Sequence, residues 1–144
     1  MQSIRILSFP DCRMVSSTVG MFGDPVFEAF MPWMNRQTRG IHPKDYLMWD
    51  QAGFRWLHLY EEGMDVPEPL SVIDFKGGLY AVATDIDQRT DKNAMDREVE
   101  AFLEQNGLGR DHDRPDLGNI ITSPEVKDIL GYEQMDYYYA VKRK

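Results

Sequence analysis

Twice along this chain a β-forming run is followed by an amphipathic helix and then by two short strand-like runs, and this repeated order constrains the fold more than any single motif. The first run, Arg5 to Val19, is rich in β-formers and broken by Pro10, so it reads as a strand with an early kink. Gly20 and Gly23 punctuate it before Asp24-Pro25, an N-cap residue followed by the ring that suits a first helical position. Val26, Phe27, Phe30, Trp33 and Met34 then recur at helical spacing, with Pro32 expected to kink the helix or end it early. Tyr46–Asp50 and Arg55–Tyr60 complete a β-α-β-β order.

After Val66-Pro-Glu-Pro-Leu70 the order returns. Leu70–Phe75 and Leu79–Tyr80 onward to Thr84 flank a Gly77-Gly78 turn, and a helix is predicted from about Asp91 to Asn106 with Met95, Val99, Phe102 and Leu103 on one face and Gly107 as its stop. Asn119–Thr122 is a short strand, Ser123-Pro124 opens a helical segment closing at Gly131, and Gln134–Val141 is the last strand. The expected fold is α+β: a single domain over 1–144, with pseudo-symmetric β-α-β-β units at about 1–66 and 67–144 forming an antiparallel sheet. Helices would cover one face and a ligand groove the other.

Alternation along strands sorts the side chains. Met135, Tyr137, Tyr139 and Val141 share one face, and Asp136, Tyr138 and Ala140 the other; in the first half Leu57 and Leu59 oppose Trp56, His58 and Tyr60. The apolar rows suit the helices. The rows that mix rings with ionisable groups have the composition of a pocket.

With 144 residues, 42% of them hydrophobic, the chain can bury a core without a disulfide framework, and the lone Cys12 reads as a buried thiol. No apolar run approaches the length of a membrane span, and the start Met1-Gln-Ser-Ile-Arg-Ile has no signal-peptide pattern, so a cytoplasmic, membrane-free protein is expected. The net charge of −8, with Lys142-Arg-Lys144 as the one basic cluster, argues against direct nucleic-acid binding; the acidity reads either as solubility or as a field that favours cationic ligands. Asp111-His-Asp-Arg-Pro-Asp116 matches no zinc or calcium spacing, and Gly77-Gly78 leads into no phosphate loop, so neither metal nor cofactor is expected.

Phe75-Lys-Gly-Gly-Leu-Tyr-Ala-Val82 resembles the Gly-x-Tyr-Ala run of the GyrI-like, or bacterial transcription activator effector-binding, family, a relative of the SOUL haem-binding fold. Met135-Asp-Tyr-Tyr-Tyr-Ala-Val-Lys142 resembles that family's closing strand, and Phe9–Ser16 is similar to its first. The resemblance spans essentially the whole chain and matches a free-standing member, since no helix-turn-helix segment fits. It implies binding of lipophilic, often cationic molecules. Two positions depart from the pattern: the acidic residue, usually Glu, is the shorter Asp136, and the usual Pro is Ala140.

On this reading the ligand-binding candidates are Asp136, Tyr138, Trp56, His58, Tyr60 and Tyr80, with Trp33 and Trp49 as groove caps or core. Asp136 reads either as a buried anion awaiting a cation or as a carboxylate satisfied by backbone donors or an Arg. The rings can stack on a flat ligand or hold a cation. His58 is open between pocket base, haem ligand and structural imidazole, while His42 and His112 lie in polar loops. Three functions stay open: a small-molecule sensor or sequestering module, a hydrolase of electrophilic compounds with Asp136 as base and Tyr138 or Tyr60 as hydroxyl donor, and a gyrase-inhibitor-like protein-interaction module. A protein partner or homodimer is compatible with each.

Overall fold

Capping residues and alternation set the elements of the computed structural model, which describes residues 3–20, 23–37 and 40–144. In chain order they are β1 (Arg5–Phe9), β2 (Cys12–Ser16), α1 (Pro25–Asn35), β3 (Asp45–Asp50), β4 (Gly53–Leu59), β5 (Ser71–Phe75) and β6 (Gly78–Ile86). There follow α2 (Lys92–Gln105), β7 (Leu108–Arg110), β8 (Asp116–Ile120), α3 (Pro124–Leu130) and β9 (Gln134–Arg143). The chain is therefore α+β, and the strand pairs described below are antiparallel. Contacts gather it into two units: Pro10–Gly77 is one, and the other joins the segment ending at Phe9 to Gly78–Lys144.

In the unit Pro10–Gly77, β4 lies between β3 and β2, and β5 pairs the far side of β2. Pro25 occupies the first turn of α1, where its missing N–H costs nothing, and the Phe27 and Glu28 amides bond the Asp24 carbonyl at 3.1 and 3.3 Å. Phe27, Phe30 and Trp33 form its buried stripe. Of the two outcomes expected of Pro32, an early end does not occur: the helix runs on to Asn35. The proline removes one donor near the C-terminal end, and the Arg36 and Gln37 amides close the last turn on the Trp33 and Met34 carbonyls.

The face assignment of β4 also needs correcting. The row beneath α1 is Trp56, His58 and Tyr60, not Leu57 and Leu59. Trp56 meets Phe27 and Phe30 at ring-centroid distances of 5.9 and 5.8 Å, and His58 meets Trp33 edge-on at 5.6 Å. The helix stripe is itself aromatic, and rings pack well against rings in tilted and T-shaped contacts. Alternation says which residues share a face, but not which face receives the helix.

In the other unit β9 is central. It pairs β6 on one side and β8 on the other through Gln134–Ala140, then takes β7 as partner along Val141–Arg143. The α2 residues Met95, Val99 and Leu103 pack on Ala81, Ala83, Tyr139 and Val141, the face expected for them. Asp91 caps α2 by accepting the Ala94 amide at 3.1 Å, Ser123 caps α3 by accepting that of Val126 at 3.2 Å, and Gly107 and Gly131 take the left-handed conformation beyond their ends. Strand β7 was not anticipated, and β8 begins at Asp116, ahead of the expected Asn119.

Candidate site on the strand face opposite α2

Pairing aligns three polar side chains in one row. Asp136 of β9 stands directly across from Thr84 of β6 and from Asn119 of β8, so all three project from the face opposite α2. The Asp136 carboxylate is buried, 6% exposed, and its Oδ1 accepts a 2.5 Å hydrogen bond from the Thr84 hydroxyl. Arg5 of β1, one row along, reaches diagonally to place Nη2 3.2 Å from the same oxygen and 3.3 Å from Thr84 Oγ1. The Arg5 side chain is half exposed. Asn119 is also 6% exposed, yet its amide oxygen is buried with no hydrogen-bond partner among the described residues.

Rings flank this row. Tyr138 lies two residues along β9, and Phe9, Tyr80 and Tyr138 form a triangle of edge-on contacts with centroids 5.8 to 6.5 Å apart. Tyr80 is fully buried; its hydroxyl donates to the Pro115 carbonyl at 2.9 Å, and the Arg114 guanidinium lies over its ring at 4.8 Å. Burial pushes this hydroxyl up to about 12, with the Arg114 charge opposing the shift, so Tyr80 stays neutral at physiological pH. Tyr80 braces the site rather than offering it a free face.

Arg114 accounts for the Gly-x-Tyr run. It enters where β9 leaves β6 for β7, and its Nη2 donates to the Leu79 and Val141 carbonyls at 2.7 Å each. A Cβ on Gly78 would sit 2.5 Å from Arg114 Nη1, and Gly78 has φ +148°. Glycine thus makes room for the guanidinium that lies over the tyrosine two residues on. The acidic loop considered for metal serves the same construction: Asp111 accepts Arg114 Nε at 2.9 Å, and Asp116 accepts Arg110 at 2.6 Å and the Ala140 amide at 2.9 Å.

On the α2 face, the Tyr139 hydroxyl donates to Asp96 at 2.7 Å and accepts from Lys92 at 2.9 Å. Burial, with the hydrogen bond to Asp96, pushes the Tyr139 hydroxyl far up. Burial works against ionisation of Asp96 too, but the hydrogen bonds from Lys92 and Tyr139 outweigh it and hold that carboxyl below its usual range.

The other three candidates belong to the unit Pro10–Gly77, under α1. Trp56 donates its indole N–H to Asp45 at 3.1 Å, His58 Nδ1 lies 2.8 Å from the Leu59 carbonyl, and Arg13 sits over the Tyr60 ring at 4.7 Å. Trp33 is buried there as well, bonding the Asp65 carbonyl at 2.8 Å. An open cleft of about 350 Å³ lies beside it, lined by Arg36, Gln37, Glu61, Glu62 and Asp65, and Lys44 pairs with Glu61 and holds its carboxyl below the usual range. The Cys12 thiol is pushed up by burial and by Asp11, which leaves it protonated rather than nucleophilic.

The fold places the expected Asp136, Tyr138 and Tyr80 in one unit, together with Arg5, Thr84 and Asn119, which the sequence did not single out. An Asn in a strand-like run was a signal, since Asn is depleted from strands. Arg5 and Thr84 join the site only through strand pairing, which no local pattern encodes.

No family model matches the sequence, and no curated protein matches it either. Solved structures match at the level of the fold. The EcmrR C-terminal domain superposes with a TM-score of 0.68 at 9% identity, covering 100% of this chain and 99% of that one. A hydrolase from Listeria innocua gives 0.69 at 10%, covering 97% and 92%. SAV2435 bound to tetraphenylphosphonium gives 0.57 at 10%, covering 97% and 94%. This chain therefore shares the fold of the EcmrR C-terminal domain and of SAV2435.

Proposed function

We propose that this chain is a small-molecule-binding module, a sensor or sequestering protein, that takes an aromatic cation at Asp136. The observation that carries the reading is a buried carboxylate, beside the Phe9, Tyr80 and Tyr138 rings, whose cationic partner is a half-exposed Arg5. A buried anion needs a compensating charge, and a long exposed side chain can surrender that place at little cost. That a protein of the same fold holds tetraphenylphosphonium supports the ligand class. Trp56, His58 and Tyr60 serve the core beneath α1 in this proposal. A hydrolytic role for Asp136 is less favoured, because the carboxylate oxygen Oδ1 already accepts from Thr84 and pairs with Arg5.

Isothermal titration with protonated 1-naphthylmethylamine and the neutral 1-naphthalenemethanol tests this. The amine should bind at micromolar strength and the alcohol more weakly. Asp136→Asn should cost the amine about 1.5–3 kcal/mol, the worth of a hydrogen bond to a charged group, and leave the alcohol unchanged. Equal binding of both compounds, or an indifferent Asp136→Asn, would remove the carboxylate from the reading.

A further inference from the structure

The row Thr84, Asp136 and Asn119 presents oxygen atoms that are short of donors. Thr84 gives its hydroxyl proton to Asp136, Asp136 is an acceptor throughout, and Asn119 Oδ1 is buried with no partner among the described residues. Asn119 and Asp136 are direct cross-strand partners, so their side chains rise about 5 Å apart on the same face. Leaving a buried acceptor unmet is costly, and a fold that keeps one beside a buried carboxylate carries an open demand for N–H groups.

The cation that the described residues place at the row is of that kind. Arg5 approaches with an N–H-bearing Nη2, which lies within reach of both Asp136 Oδ1 and Thr84 Oγ1. Its bonds reach Thr84 and Asp136 but leave Asn119 unserved. An ammonium, amidinium or guanidinium ligand with several N–H groups can meet Asp136 and Asn119 together. A quaternary cation has no N–H to offer, and its methyl or aryl shell holds its charge farther from the carboxylate, which weakens the attraction.

We infer that this site selects cations bearing N–H donors over quaternary ones, with Asn119 as the specificity-determining residue and Arg5 as the built-in occupant that such a ligand displaces. The inference rests on the binding reading above and goes beyond it, to the chemical class of ligand. Nothing in it follows from the phosphonium complex, whose cation lacks N–H.

The test titrates the full chain with protonated 1-naphthylmethylamine and with its N,N,N-trimethyl counterpart. The amine should bind about tenfold more tightly or better, the equivalent of one charge-assisted hydrogen bond. Asn119→Leu should lower amine affinity and leave the trimethyl compound unchanged, while Asn119→Ser, which keeps an acceptor, retains part of the preference; unfolding curves for both variants verify the fold. Arg5→Met should tighten both cations by removing the competitor. Equal affinities in the parent protein, or an Asn119→Leu variant that shifts both compounds alike, would overturn the selectivity. Weaker binding by Arg5→Met would overturn the displacement. If both cations bind but Asp136→Asn affects neither, the binding reading itself fails, a result distinct from a failure of selectivity.

Discussion

Gly78 and Asp111 show how much of the candidate site depends on residues outside its polar row. Both serve Arg114: Gly78 leaves the space beside its Nη1, and Asp111 accepts its Nε. Gly78→Ala would force a Cβ against the guanidinium at a positive φ, so chemical denaturation should show a loss of about 1–3 kcal/mol; an unchanged midpoint would mean that Arg114 can withdraw freely. Asp111 tests the same pair through pH. The hydrogen bond from Arg114 holds its carboxyl below the usual range, so the folded protein binds that proton less readily than the unfolded chain. Its stabilisation is therefore present above about pH 4, the unfolded value, and fades as pH falls through the lower folded one. Urea unfolding from pH 7 to pH 3 should show Asp111→Asn less stable at neutral pH, with the gap closing on acidification. A gap independent of pH would show that ionisation plays no part.

The helices show which signals travel through sequence. Asp91, Ser123-Pro124, Gly107 and Gly131 act where they stand, through bonds to amides a few residues away or through their own backbone angles, so the ends of α2 and α3 were legible. The three-residue β7 was not, because a run with Gly109 at its centre has too few side chains to alternate. Which row of β4 lies beneath α1, and which strands bring Arg5, Thr84 and Asn119 to Asp136, depend on partners far away in the chain. Asp136 and Tyr138 could be assigned to one face because they sit two apart on one strand. In α1 the structure offers a direct check: Pro32 is exposed inside the helix, so Pro32→Ala restores a donor without removing packing. Interior proline costs about 3 kcal/mol, and the variant should gain up to that amount in thermal or urea unfolding. A loss instead would show that the proline rigidifies the loop that follows.

At the scale of the whole molecule, one unit is inserted into the other: the chain leaves the first after Phe9 and returns to it at Gly78. The link from β1 to β2 and that from β5 to β6 are equally short, and Gly77 donates to Asp11 at 2.7 Å to fasten the second to the first. The inserted unit has all its strands by Phe75, whereas the other depends on β9, the shared partner of β6, β7 and β8. Truncation after Glu133 should therefore leave Pro10–Gly77 resistant to limited proteolysis and expose the segment from Gly78 onward, with peptide mass mapping as the readout. Uniform digestion would mean that the inserted unit has no stability of its own.

The central place of β9 also sets an order of events during synthesis. A nascent chain can pair β2, β3, β4 and β5 as they emerge, but β6 must wait for a strand made long afterwards, and meanwhile it has β1 alone beside it. Phe9, Tyr80 and the row at Asp136 are then assembled last, so a ribosome that stalls short of β9 releases a product with a formed inserted unit and without the candidate site.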